Sequence, residues 1–200
     1  SIDDLPAKAE EQKTPESKPF RVLGVWYSNN AAAPKILNVS LQSINRARLA
    51  SRCEVEVQTC PWSEIPGNPF TETLANFRLG VHLGIAMQIL QAIYTAKDRW
   101  GSFDAVCFLE HDVLYPEDYF DRVAEALQEN PEKIGVSNLD YIGLNDTGWL
   151  PVTTRQEPMH QISLRFNSAV SHFEDVVRIC IAKRAVNLEP DDKSQLVQIP

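Results

Sequence analysis

Glu110, His111 and Asp112 stand directly after the apolar run FDAVCFL of residues 103 to 109, and Tyr115-Pro116 follows them closely. Two carboxylates two residues apart thus leave the tip of what reads as a buried strand. In extended chain alternate side chains share a face, so Glu110 and Asp112 are expected together with His111 opposite. Neighbouring anions repel unless a cation offsets them. Hard oxygen donors suit Mg2+ or Mn2+, whose other ligands are typically water and phosphate oxygens. A divalent ion held there can grip a diphosphate and stabilise it as a leaving group.

The elements that must position this triplet follow from hydrophobic period and turn residues. Order is expected from Phe20, with RVLGVWY at 21 to 27 as a buried strand that SNNAAA breaks. Pro34 suits the first turn of a helix over 34 to 49, with Ile36, Leu37, Leu41, Ile44 and Leu49 inward. EVEVQT at 54 to 59 alternates as a strand, and CPWSEIPGNP reads as a loop. The longest helical pattern covers 71 to 98, on Leu79, Leu83, Met87, Leu90 and Tyr94, and Gly101 closes it. FDAVCFL is continuously apolar, as a strand buried on both faces must be. Pro116 opens a helix over Asp118 to Gln128, and Asn130-Pro131 stops it. KIGVSN at 133 to 138 predicts a strand, 140 to 158 an irregular stretch, 160 to 164 a weak strand, and 166 to 184 a helix with Ala169, Phe173, Val176, Val177 and Cys180 inward. This alternation predicts an α/β chain, a three-layer α/β/α sandwich with a mostly parallel central sheet. In such sheets ligands gather at the carboxyl ends of the strands, where the acidic triplet lies. Residues 1 to 19, SIDDLPAKAEEQKTPESKP, hold too little apolar surface to fold and read as a tail or linker. A single domain is expected over 20 to 184, and 185 to 200 form a polar C-terminal extension.

Composition narrows the function classes. Of 200 residues, 44% are hydrophobic and 23% charged, which fits a globular domain and excludes collagenous or fully disordered chains. No apolar run reaches 18 residues, so no transmembrane helix is expected. The first residues lack a basic-then-apolar leader, so no signal peptide is expected. The net charge of −8 argues against broad electrostatic binding to nucleic acid. Arg46, Arg48 and Arg52 form the densest basic group and read as a solvated helix end. Cys53, Cys60, Cys107 and Cys180 show neither CxxC nor zinc-finger spacing and read as reduced structural residues, which points to the cytoplasm. The phosphate-binding P-loop, the dinucleotide GxGxxG, the GxSxG elbow and HExxH are all absent.

VCFLEHDVLYPEDYFDRVAEAL resembles the acidic-motif region of GT-A-fold glycosyltransferases, which place D-x-D or a variant at the end of a central strand, before a helix that begins after Pro. RVLGVWYSNN resembles their first nucleotide-binding strand and loop. The resemblance covers roughly residues 20 to 180 and is specific over 103 to 121; here E-H-D stands where D-x-D is commoner. It implies a glycosyltransferase with a nucleoside-diphosphate sugar as donor, a UDP-sugar first among them, and Mn2+ or Mg2+ as cofactor. Asp112 would then ligate the metal, Glu110 would meet the ribose or a metal-bound water, and His160 would be a third ligand. Tyr27 and Ser28 would lie near the base or ribose, Arg78 near the nucleotide, and Arg165 near the diphosphate. Asp140, Asp146 and Glu157 are the candidate catalytic bases, beside a loop where the acceptor would bind. That acceptor would be a glycan, a lipid, a small molecule or a modified nucleobase; nucleic acid is possible but not favoured by the acidic charge. Trp149 is a candidate for stacking on a sugar or base, whereas His82 and His172 read as structural. Two other readings compete: a nucleotidyltransferase of related fold, to which SNNAAAPK is a poor match, and a non-catalytic domain that binds nucleotide or glycan.

Overall fold

The computed structural model describes residues 18–75, 81–137, 140–145, 148–153 and 162–186. β1 (Arg21–Ser28) runs into α1 (Pro34–Ala50), with Pro34 opening the helix where its missing N–H is harmless. β2 (Glu54–Pro61) and the two-residue β3 (Thr71–Glu72) precede α2 (Val81–Trp100). β4 (Ala105–Glu110), β5 (Val113–Leu114), α3 (Tyr119–Glu129) and β6 (Gly135–Ser137) follow. β7 (Asp140–Asn145), β8 (Gly148–Thr153), β9 (Ile162–Arg165) and α4 (Phe166–Val186) complete the order.

The central sheet has the strand order β3-β2-β1-β4-β9-β6. β3, β2, β1 and β4 are mutually parallel, and β9 is antiparallel to β4 and β6. The sheet is therefore six-stranded and mostly parallel. Alternation along its strands divides the core in two. Val22, Trp26, Val57, Cys107 and Leu109 pack with Leu41 and Ile44 of α1 and Phe120 and Leu127 of α3. Leu23, Val25, Val106 and Phe108 face the other way, against Ile89 and Ile93 of α2 and Ala169 and Phe173 of α4. Two helices thus cover each face, giving the α/β/α sandwich. Gly24 sits on central β1 where a Cβ would stand 2.9 Å from Leu109 Cδ1 and 3.2 Å from Val57 Cγ2, so the strands close tightly there.

Several elements depart from the sequence reading. Residues 71 to 75 do not begin the long helix: Thr71 and Glu72 pair in parallel with Gln58 and Thr59 instead. Residues 140 to 145 and 148 to 153 are not irregular: β7 and β8 pair antiparallel, and with β5 they make a second, three-stranded sheet. Leu49 is 70% exposed and Tyr94 is 40% exposed, its hydroxyl bonded to Glu174 of α4, so neither faces inward. Leu79 lies outside the described residues. So do nearly all of the tail and the C-terminal extension; Lys18 and Pro19 are exposed and α4 runs on to Val186. All four cysteines are free thiols. No helix among the described residues is long and apolar enough to cross a membrane.

Candidate functional site

A parallel sheet delivers the carboxyl ends of its inner strands to one edge, where helix-free loops leave room for a ligand. A pocket of about 230 Å3 lies at that edge, lined by Tyr27, Ser28 and Asn29 after β1, Trp62 after β2, Glu110, His111 and Asp112 after β4, and Gly84, Ile85 and Gln88 of α2. Gly84, Ile85 and Gln88 are spaced to share one face of the first turns of α2.

Register brings the first two candidate side chains together. Tyr27 and Glu110 are Cα partners on adjacent parallel strands and share the face turned to α2. The Tyr27 hydroxyl donates to Glu110 Oε1 at 2.9 Å. Burial, then the Glu110 carboxylate and its hydrogen bond, then the Asp112 charge, hold the phenol well above its ordinary pKa, so it stays a donor. β4 ends at Glu110, and His111 and Asp112 form the turn into β5. The extended geometry expected for the triplet is thereby corrected: a turn stands at His111 and Asp112, and His111 lines the same pocket as the two acids.

Buried polar groups fix this turn. The Glu110 N–H donates to Tyr115 Oη at 2.8 Å, and Ser40 Oγ donates to the Glu110 carbonyl at 3.1 Å. The Tyr115 N–H donates to Ser43 Oγ at 3.2 Å, and Ser43 in turn donates to the Ser40 carbonyl at 2.7 Å. Two serines one turn apart on α1 therefore clamp both sides of the acidic turn. On α2, Gln88 Nε2 donates to the carbonyls of Ser28 at 3.2 Å and Cys60 at 2.9 Å, tying the tips of β1 and β2 to that helix.

The donor chemistry fits a hard divalent ion completed by substrate oxygens. Glu110 and Asp112 bring two carboxylates to one small pocket, and oxygen donors of that kind are the ones a hard divalent ion takes. Among the described residues no group of three His, Cys, Asp or Glu side chains comes together as a ligand set. His160, Arg78, Asp146 and Glu157 lie outside the described residues. Asp140 opens β7, whose Gly143 pairs with Val113 just after the acidic turn. It sits at the end of β7 away from that turn, and Asn145 at the nearer end. Trp149 pairs with Leu144 across β7 and β8.

The structure places Arg165 away from the pocket, which corrects its expected place beside a diphosphate. It pairs with Ala105 at the start of β4, five residues and roughly 16 Å from Glu110. Its guanidinium donates to the carbonyls of Lys133, Leu127 and Asn130, where it closes the C-terminal end of α3. The Arg46, Arg48 and Arg52 group is only partly a solvated helix end, because Arg52 pairs with Asp121 at 2.9 Å and with Glu125. Sequence reasoning missed Trp62, Gln88 and Asn29 as pocket residues. The available signals were an aromatic just past a strand's carboxyl end and a lone amide in the apolar stretch HLGIAMQIL.

No family model matches the sequence, and no curated protein matches it. Solved structures do. One is a glycosyltransferase involved in the glycosylation of the major capsid of PBCV-1, 9% identical, with a TM-score of 0.48 over 84% of this chain and 68% of that one. A second is the mannosyltransferase PcManGT from Pyrobaculum calidifontis in complex with GDP-Man and Mn2+, 19% identical, with a TM-score of 0.40 over 62% of this chain and 39% of that one. A third is the apo-form glycosyltransferase GlyE of Streptococcus pneumoniae TIGR4, 11% identical, with a TM-score of 0.36 over 86% of this chain and 41% of that one. The chain spans about two-fifths of the length of the latter two.

Proposed function

We propose that this chain is a glycosyltransferase domain that moves a sugar from a nucleoside-diphosphate sugar to an acceptor hydroxyl. The observation that carries the reading is the meeting of Tyr27, Ser28, Glu110, His111 and Asp112 in one pocket at the carboxyl ends of two parallel inner strands. Asp112 would hold a Mn2+ or Mg2+ ion together with the donor's diphosphate oxygens, and Glu110, braced by Tyr27, would meet the ribose or a water on the ion. When bound, the ion supplies positive charge opposite the negative charge that the departing diphosphate gains. The acceptor oxygen bonds to the anomeric carbon while the bond from that carbon to the diphosphate oxygen breaks, and the diphosphate leaves with the electron pair. The acceptor's proton passes to a base, for which Asp140, Asp146 and Glu157 are the candidates. A UDP-sugar is the first donor to test, a hexose the first sugar, and the cytoplasm the expected compartment.

A thermal-shift titration with UDP and GDP, each with Mn2+ and with chelator, tests the reading. A ligand at ~100 times its Kd adds about 2.7 kcal/mol, a rise of roughly 5–10 °C for a domain of this size. The expected outcome is a rise that needs Mn2+ and disappears in Asp112→Asn. Equal shifts with metal and with chelator, or none at all, would sink it.

A further inference from the structure

We infer that Trp62 is the platform on which the planar base of the donor stacks, and that Asn30 is the residue that sets it there; the inference rests on the reading of the pocket as a nucleoside-diphosphate site. Trp62 follows directly on β2 and is 40% exposed while lining the pocket, an uncovered aromatic at a place where a ligand must rest. Its backbone is fixed. The Trp62 N–H donates to Asn30 Oδ1 at 2.8 Å and to the Ser28 carbonyl at 3.1 Å. Asn30 Oδ1 also accepts from the Ser63 N–H at 3.1 Å, and its Nδ2 donates to the Ser63 carbonyl at 3.1 Å. One side chain thus staples the loop after β1 to the exit of β2.

Asn30 holds this position at φ 58°, in the left-handed region that residues other than glycine seldom occupy. Asn tolerates that region better than most, and its three side-chain bonds hold it there. The staple is aimed at presenting residues 62 and 63, and Trp62 is the one that reaches the pocket.

The pocket's polarity is split in a way that matches a nucleotide. Glu110, His111 and Asp112 gather at the tip of β4, whereas Trp62 stands at the tip of β2, with β1 between them. Two strand spacings separate those tips by about 10 Å. A ligand whose diphosphate sits at the acidic end extends its nucleoside across Tyr27 and Ser28 towards the indole. Stacking recognises the face of a ring and not its edge, so the platform serves purine and pyrimidine alike.

The test is calorimetric titration of wild type, Trp62→Ala, Trp62→Phe and Asn30→Gly with UDP, GDP and inorganic pyrophosphate, all with Mn2+. Trp62 is outside both buried core clusters, so its variants should fold, and their unliganded melting temperatures check this. Trp62→Ala should lose about tenfold or more in affinity for both nucleoside diphosphates, the scale of one base–aromatic stack, with pyrophosphate unchanged. Trp62→Phe should keep most of that affinity, and Asn30→Gly, which retains the backbone conformation but not the staple, should lose part of it. Nucleoside diphosphates that bind Trp62→Ala as they bind wild type, or a loss shared equally by pyrophosphate, would overturn the inference and leave the proposed function standing. A wild type that binds no nucleoside diphosphate would overturn both.

Discussion

Tyr27 shows how one residue links sheet register to site chemistry. Its place opposite Glu110 is fixed by eight-residue β1 pairing with β4, and its phenol is buried against α2. A hydroxyl that donates to a carboxylate in such a place is worth more than one in water. Tyr27→Phe keeps the ring and removes only that donor. The expected outcome is a loss of about 1.5–3 kcal/mol in urea unfolding, the range for a hydrogen bond to a charged group. A loss indistinguishable from zero would mean that the carboxylate is equally well solvated without it. At this scale the sequence was informative where a strand's end alone decides placement: Tyr27, Ser28, Glu110 and Asp112 are pocket residues because β1 and β4 are central and parallel. It was silent where a turn decides. His111 joins the pocket at a turn that no alternation rule contains. Trp62 is delivered by a hydrogen-bonded Asn30 thirty-two residues earlier. Arg165 looked like an anion contact from its charge, yet three backbone carbonyls at the other end of β4 claim it.

At the scale of elements, α1 does more than cover the sheet. Ser40 and Ser43 are buried polar residues on its inner face, at 0% and 1% exposure, in a row otherwise made of Leu37, Leu41, Ile44 and Ala47. Buried hydroxyls need partners, and here the partners are the acidic turn itself. Ser43→Ala removes the acceptor of the Tyr115 N–H and leaves a buried donor unpaired, at an expected cost of about 1–3 kcal/mol. Chemical denaturation reads that cost, and Mn2+-dependent nucleotide binding should weaken with it, because the same bond places β5 behind Asp112. Unchanged stability together with unchanged binding would show that the turn holds its shape without α1. The helices and inner strands were legible from period alone, since burial on one face or both writes itself into residue spacing. The β7–β8 pair was not, because DYIGLNDTGWLPVT carries Gly, Asn, Asp and Pro at turn-like density and its pairing partner is the two-residue β5. β3 escaped notice for the same reason: two residues pairing with the edge of β2 leave no periodic trace.

For the molecule as a whole, the two cores share one sheet, so a group that resists ionisation in either core resists on behalf of both. Burial pushes the thiols of Cys60 and Cys107 up to about 12 from an ordinary value of 9.0. Burial likewise holds the phenols of Tyr27, Tyr115 and Tyr119 well above 10.0, with the Glu110 charge adding to the rise at Tyr27. Cys60 and Tyr27 belong to the face of α2 and α4, Tyr115 and Tyr119 to the face of α1 and α3. In each case the folded state keeps its proton after the unfolded chain has lost it. Stability from these groups is therefore full below pH 9 and declines as pH rises, first through the thiols and from pH 10 through the phenols as well. Each ionisation open only to the unfolded chain lowers stability with a slope approaching ~1.4 kcal/mol per pH unit, so the fall steepens where the phenols join the thiols. Urea unfolding at stepped pH, followed by circular dichroism and by phenolate absorbance, should show a flat plateau to about pH 8.5, then a steepening fall. The buried phenolates should appear together with the loss of structure. Cys107→Ala should soften the first limb and Tyr119→Phe the second. Phenolates forming near pH 10 in a chain that keeps its circular dichroism would mean that water already reaches those rings, and the double core would have to be redrawn.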